Sequence, residues 1–499
     1  MSPDRSKSPR RLGDEERQPL LPSSPPPQGH EHSQQQTISF GPDDPDNPYA
    51  WSRARKATQV LQIFILALLS PAASSILDPA ADAIAADLGA DQGLVMASQA
   101  GFVCMLGVGP LFLAPMSETF GRRRLFVFCF GVFTLLQIPT ALIRSAAGLV
   151  VLRTLSGFFG SVSVANGGGS ISDLFETQER SQVLGVYLVA PVLGPTVGPL
   201  IGGLVVAHLS WRWIFWILLV ASSLVTGMCY FFLHETRAVT ILEDRKRRLQ
   251  KKHPETEYTV EGCPPGSDSS ILRKIAQNST RAVRILTTQP IVFTMSVYQA
   301  LIFTSMYSLY AEYSNIWSGS PYFFDQSQLG WAYLAPMLGF VLTSVFIVRY
   351  NNRLYNYLAR RHGDDGQPEY RLPMANIGAV FLPASLFWFG WALQDQRAWQ
   401  VPLAAMLLFG ASQVSIFNTV QTYYIDAFAD RAASALAAGA FLRSMVGGIV
   451  PLFVGGMFER LGYGVGFSVL GGLSLVLMPA PMLFYWKGGW LRERFPFRG

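Results

Sequence analysis

Charge is the scarcest property of this chain. Only 14% of its 499 residues are Asp, Glu, Lys or Arg, whereas 50% are hydrophobic. So little charge cannot solvate the surface of a large soluble fold, which excludes the ordinary water-soluble classes. Cysteine is rare too. Cys104, Cys129 and Cys229 fall in apolar stretches and Cys263 in a polar one, so no disulfide framework is expected. Of the six histidines, only His30 and His32 are close together. HExxH, paired CxxC and nucleophile-elbow patterns are missing, which argues against an enzyme and predicts neither metal nor cofactor. The first 50 residues are rich in Ser, Pro and Gln and have no apolar core. They read as a disordered tail, not a signal peptide, and leave targeting to the first apolar stretch.

Long apolar runs are what the chain has instead. Stretches of about 20 residues, enough to cross a hydrocarbon core, occur near 57–77, 94–116, 125–143, 148–171, 183–206, 212–233, 291–313, 329–349, 373–393, 400–421, 435–457 and 464–486. The expected fold class is an all-α polytopic membrane protein with twelve transmembrane helices, six on each side of a polar stretch. With both termini in the cytoplasm, only Arg144, Arg212, Arg397 and Arg460 of the 39 Lys and Arg lie outside, and only Arg153 and Arg443 lie within helices. That bias fixes the orientation by the positive-inside rule. The formal charge of +6 therefore reads as contact with the inner leaflet of a lipid bilayer, and no nucleic acid partner is expected. The predicted organisation is a cytoplasmic tail (1–50), a six-helix half (51–233), a cytoplasmic linker (234–290), a second six-helix half (291–486) and a short cytoplasmic tail (487–499). The sequon at Asn278 lies in the linker, out of reach of glycosylation.

The halves echo each other. "ISDLFETQERSQVLG" joins helices 4 and 5, and "YIDAFADRAASALAAG" joins helices 10 and 11. Asp173 answers Asp426 and Arg180 answers Arg431, so each aspartate is expected to pair with a nearby arginine at an inner helix end, as a conformational latch. Repeated halves with sites at their interface are the build of alternating-access transporters. Two arginines stand inside the apolar stretches. Arg153 lies on the four-residue series Arg153, Gly157, Ser161, Ala165, Gly169, and Arg443 on Gly439, Arg443, Gly447, Pro451, Gly455. Each therefore faces a small-residue seam, where a guanidinium is costly unless paired or hydrated. Both are candidates for proton coupling or, alternatively, structural arginines capped by backbone carbonyls.

The fifth apolar stretch carries Gly185, then Gly194-Pro195, Gly198-Pro199 and Gly202-Gly203. The glycines four residues apart stack on one helix face and admit another backbone, while the prolines remove donors and loosen the helix. Between helices 2 and 3 the chain reads "GPLFLAPMSETFGRRR", with Glu118, Gly121, Arg122 and Arg123 at a basic turn. These patterns resemble the antiporter motif and the signature loop of the major facilitator superfamily, in the form found in fungal twelve-spanning drug:proton antiporters. Further likeness lies in "DPDNPYAWS", "PEYRLP" and "SALAAGAFLRSMVGGIVPLF", and covers about 45–490. Thr119 and the "HET" at His234–Thr236 depart from the family pattern.

The resemblance implies a major facilitator fold of two pseudo-symmetric halves that exports small organic compounds against an inward flow of protons. A proton-coupled importer on the same fold is the alternative. Gating would fall to Glu118, Gly121, Arg122, Arg123, Asp173, Arg180, Gly185, Gly194, Pro195, Gly198, Pro199, Gly202, Gly203 and Asp426. Candidate substrate contacts are Asn166, Tyr298, Gln299, Tyr307, Tyr310, Gln413, Asn418 and Tyr423, each equally able to bond between helices. Tyr298 and Tyr307 match tyrosines of the family's seventh helix, and Arg153 with Gly157 matches its fourth. Glu312, near the outer end of helix 7, joins Arg153 and Arg443 as a proton-coupling candidate. Partners are then a small-molecule substrate, protons and lipid, around a monomer. The plasma membrane is expected, with an endomembrane as the alternative because "ERQPLL" (Glu16–Leu21) fits an acidic dileucine signal.

Overall fold

The computed structural model describes residues 36–41, 44–254, 256, 258–261, 271–363, 366–428 and 431–495. Among them are twelve helices long and apolar enough to cross a membrane. Spans 1 to 6 are Arg53–Leu88, Gln92–Phe120, Arg122–Ala141, Ala146–Leu174, Gln182–His208 and Arg212–Phe232. Spans 7 to 11 are Pro290–Ser318, Gln326–His362, Pro373–Gln394, Gln400–Ala427 and Ala432–Ile449. The last helix, Pro451–Arg494, first extends span 11 outward, turns back at Gly462 (φ 73°) and then makes span 12. Phe128, Leu135, Leu224, Phe231, Phe453 and Val476 are exposed on the flanks of the helix bundle, an apolar surface suited to lipid.

Span ends follow from local chemistry. The side chains of Ser52, Asp91 and Ser145 accept from backbone N–H groups of the turns they precede, satisfying donors that a helix start leaves open. Span 3 is capped from a distance. Gly121 turns the chain with φ 92°, and the carboxylate of Glu235, after span 6, accepts from the N–H groups of Arg122 and Arg123 at 2.9 and 3.1 Å. Span 1 is broken near its outer end. Its α-helix stops at Ser75, a 3-10 turn covers Asp78–Ala80, and a short helix resumes at Ala81.

The glycines of span 5 are pressed on span 1. A Cβ placed on Gly194 would stand 2.7 Å from the Leu68 carbonyl oxygen, and one on Gly198 or Gly202 would overlap the carbonyl oxygens of Ala72 and Ile76. The Ser75 hydroxyl donates to the Pro195 carbonyl at 2.6 Å in the same seam. Gly203 instead meets the backbone of Gly330 in span 8. The first six spans touch the last six mainly where span 2 packs on span 11 and span 5 on span 8.

The stretch 234–290 holds two helices, Ala238–Lys252 and Ile271–Thr288. The second lies against both span 2 and span 11. Part of the expected disordered tail is ordered against the first. Strand β1 (Gln36–Ile38) pairs in parallel with β2 (Tyr258–Val260), because Ile38 and Phe40 find an apolar patch of Leu242, Leu249, Tyr258 and Val260. Arg245 adds ion pairs to Asp44 at 2.7 Å and Asp46 at 2.9 Å, and this guanidinium holds the Asp44 carboxyl below the usual carboxylate range. His30, His32, Cys263 and the Glu16–Leu21 pattern lie outside the described residues.

Replacing Gly198 with leucine forces span 5 off span 1, since the obstructing atom is backbone and cannot rotate away. The expected result is a loss of about 1–3 kcal/mol in stability together with loss of transport by protein still inserted in the membrane. Thermal unfolding of the purified variant beside a vesicle transport assay checks both, and wild-type transport would show that the seam tolerates separation.

Candidate functional site

A cavity of about 550 Å³ lies between spans 2, 4, 5, 10 and 11, on the side where Lys and Arg cluster. Glu118, Arg122, Asp173, Arg281 and Arg431 stand at its mouth, and Tyr187, Phe417, Gln421 and Arg443 at its deep end. Most of the wall between them is apolar, including Leu111, Leu188, Pro191, Ala437 and Ala440. The opposite end is closed by rings. Tyr313 meets Tyr333 at 4.2 Å between centroids, Tyr310 meets Tyr333 at 5.3 Å, and Trp317 stacks on Phe324 at 5.1 Å. The molecule is therefore open on the side where Lys and Arg cluster and shut on the opposite side.

Two ion pairs hold the inner helix ends. Arg122 Nε donates to Asp173 Oδ2 at 2.9 Å and its Nη1 to Ser117 at 3.1 Å. In the other set of six spans, Arg371 Nε donates to Asp426 Oδ2 at 2.9 Å and its Nη1 to Asn352 at 2.6 Å. The aspartates thus have arginine partners, but distant ones. Arg180 turns to the carbonyls of Phe175 and Ser172 instead, and Arg431 lines the cavity mouth. Each pair ties ends on one side of the cavity and does not bridge it. The start of span 3 is bonded by Glu235, while Arg123 donates to the Tyr230 carbonyl at 2.7 Å.

Arg153 is 1% exposed. Its Nη2 donates to the carbonyls of Ala73 at 2.6 Å and Ser74 at 3.1 Å, in the last α-turn before the break of span 1. Such carbonyls have no helical donor. The guanidinium carbon also lies 4.4 Å from the Phe102 ring centre, and Nε and Nη1 make no hydrogen bond. Within electrostatic reach is Asp78, in the break itself. It is 7% exposed, its Oδ2 has no hydrogen-bond partner, and Gln99 is its other polar neighbour. Asp78 escapes a reading by apolar windows because the first window closes one residue before it.

From the same turn a polar link crosses to span 7. Ser74 and Tyr307 share a hydrogen bond of 3.0 Å, and Thr196 and Tyr310 one of 2.6 Å. Tyr307 lies within electrostatic reach of Asp78, Arg153 and Arg443. Arg443, 4% exposed, has its guanidinium carbon 5.3 Å from the Phe303 ring centre and 5.1 Å from that of Phe417.

The other candidates lie apart from this link. Glu312 is buried near the outer end of span 7, where it accepts from Asn315 at 3.1 Å and faces Glu459. None of Asn166, Tyr298, Gln299, Tyr307, Tyr310, Gln413, Asn418 and Tyr423 lines the large cavity in this conformation. Asn418 donates to the Gly185 carbonyl of span 5 at 3.2 Å, and Gln413 donates to the Met306 sulfur at 3.0 Å. Tyr298, Gln299, Asn166 and Tyr423 are buried with polar atoms unpaired. Gln421 and Tyr187, which do line the cavity, carry no motif that would single them out.

Residues 63–451 match the family model described as Major Facilitator Superfamily. The chain is 34% identical over 455 residues to "Efflux pump vrtL" of Penicillium aethiopicum, covering 91% of this chain and 89% of the pump. It is 33% identical over 455 residues to "MFS transporter cpaT" of Aspergillus oryzae, covering 91% and 90%. In fold it is similar to the proton:xylose symporter XylE, with a TM-score of 0.61 at 15% identity over 88% of this chain and 96% of that one.

Because Arg371 and Asp426 are both largely shielded, the pair is expected to couple by about 1–2 kcal/mol. A double-mutant cycle with Arg371→Gln and Asp426→Asn, read by thermal unfolding, measures it. Strictly additive losses would show that the two charges act independently.

Proposed function

The chain belongs to the major facilitator superfamily, and we propose that this multi-pass membrane transporter exports small amphipathic organic compounds from the cytoplasm in exchange for protons. Export is supported by relatives named as efflux pumps and by a largely apolar cavity open on the cytoplasmic side. Such a pocket suits a drug-sized ligand held by few polar groups. The fold itself serves symporters equally. A monomer in the plasma membrane is the proposed working state.

The observation that carries proton coupling is the buried carboxylate of Asp78 within electrostatic reach of Arg153 at the break of span 1. In an apolar interior an ionised carboxylate is tolerated only beside a countercharge, so the Asp78–Arg153 distance is tied to whether Asp78 holds a proton. A proton arriving from outside neutralises Asp78 and releases Arg153 to the carbonyls of Ala73 and Ser74 alone. The broken turn shifts, and span 5 follows because its glycines are seated on span 1. Tyr307 relays the change toward Arg443 through Ser74. Substrate in the cavity and a proton on Asp78 would then favour opposite states, as antiport requires. Arg153 is a positioning residue in this scheme, while Glu312 sits outside the relay.

Inside-out vesicles with an acidified lumen test the proposal against a panel of fluorescent acidic, neutral and basic amphiphiles. At least one should accumulate in the lumen and be released by an uncoupler. Asp78→Asn and Arg153→Ala should abolish accumulation while leaving downhill exchange, and Arg153→Lys should restore it in part, because lysine lacks the forked donors. Surface abundance measured alongside separates this from misfolding. Accumulation indifferent to the uncoupler, or unimpaired in Asp78→Asn, would overturn the scheme.

A further inference from the structure

We infer that the deep end of the cytoplasmic cavity binds the acidic group of an aromatic substrate, with Arg443 as its anchor. The inference rests on the exporter reading and names the substrate class. Unlike Arg122, Arg153 and Arg371, Arg443 has no acidic group within reach among the described residues. Arg122 and Arg371 hold aspartates, and Arg153 holds two carbonyls beside Asp78. Around Arg443 the groups in electrostatic reach are the phenols of Tyr187, Tyr307 and Tyr424. Its Nε and Nη1 have no hydrogen-bond partner, although the residue is 4% exposed and forms part of the cavity wall.

A guanidinium taken out of water without a countercharge is costly, and an anionic ligand removes that cost. Geometry adds shape to the charge. Phe303 and Phe417 lie together on one side of the guanidinium carbon, at 5.3 and 5.1 Å from it and 5.9 Å from each other, and the planar guanidinium suits forked recognition of a carboxylate or similar anion. Phe417 also lines the cavity, so a ligand ring beside it stacks next to the bound anion. Gln421 Oε1 is unpaired on the same wall and can accept from a ligand hydroxyl or amide. Tyr187 is committed, since its hydroxyl donates to the Ser163 carbonyl at 2.9 Å.

The test uses the full-length protein in detergent and two probes sharing one ring system, 1-pyrenebutyrate and the neutral 1-pyrenebutanol. Wild-type protein should bind the carboxylate about tenfold tighter. Arg443→Gln should erase that preference while keeping the alcohol's affinity, which also reports an intact cavity, and Arg443→Lys should keep part of it. Phe417→Leu should weaken both probes alike. Equal affinities in wild-type protein, a comparison that needs no variant, would overturn the inference, as would a preference that survives Arg443→Gln. Gradient-driven export of neutral compounds without carboxylate preference sinks the anchor and spares the exporter reading. Carboxylate-selective binding without export of any compound does the reverse.

Discussion

The arrangement depends on one side chain meeting two carbonyls. A helix broken inside a hydrocarbon layer leaves backbone acceptors that water cannot reach, and Arg153 supplies the donors for Ala73 and Ser74. Without such a cap the break in span 1 would be too costly to keep. With it, the chain gains a turn in which Asp78 is held within reach of the same guanidinium. Span 4 is thereby fastened to the point of span 1 that is least regular, and span 5 to the regular turns just before it through its glycines. Ser74 adds a hydrogen bond to span 7 in the opposite set of six. Displacement at the break is felt by three other helices.

The two ends of the molecule are held by different physics. At the end away from the Lys and Arg cluster, Tyr310, Tyr313, Tyr333, Trp317 and Phe324 seal the path by ring packing. Parting them exposes apolar area and strands no charge. Inside, Arg122–Asp173 and Arg371–Asp426 each bind helix ends on one side of the cavity. Each set of six is stiffened at its inner rim while the gap between the sets stays open, which suits bodies that rock against each other. The helix Ile271–Thr288, in contact with spans 2 and 11, spans that gap.

The sequence made the architecture legible where the signal is periodic or additive. Twelve apolar runs and a one-sided distribution of Lys and Arg are sums over many residues, and the glycines of span 5 repeat at a helical spacing. Arg153 stood out because a charge on a small-residue series is rare. What stayed hidden depends on single positions or distant partners. Asp78 fell just beyond an apolar window that ended at Leu77. The partners of Asp173 and Asp426 are 51 and 55 residues away, so the nearer Arg180 and Arg431 drew attention. Glu235, in the "HET" departure, caps span 3 from 113 residues away, and that distance hid it. The strand at Gln36–Ile38 is three residues long and gains its burial only from the linker. Span 7 is buried nearly all round, so its polar residues could not be sorted by face into cavity and helix contacts.

In the proposed scheme Asp78 takes up and releases the proton under the control of Arg153. Infrared difference spectroscopy of the reconstituted protein, titrated from acid to alkaline pH, reads it directly. Expected is a carboxylic-acid carbonyl band that disappears as pH rises, is missing in Asp78→Asn, and changes its titration in Arg153→Ala, where the neighbouring cation is gone. A spectrum unchanged by Asp78→Asn, or a band that titrates at the same pH without Arg153, would contradict it.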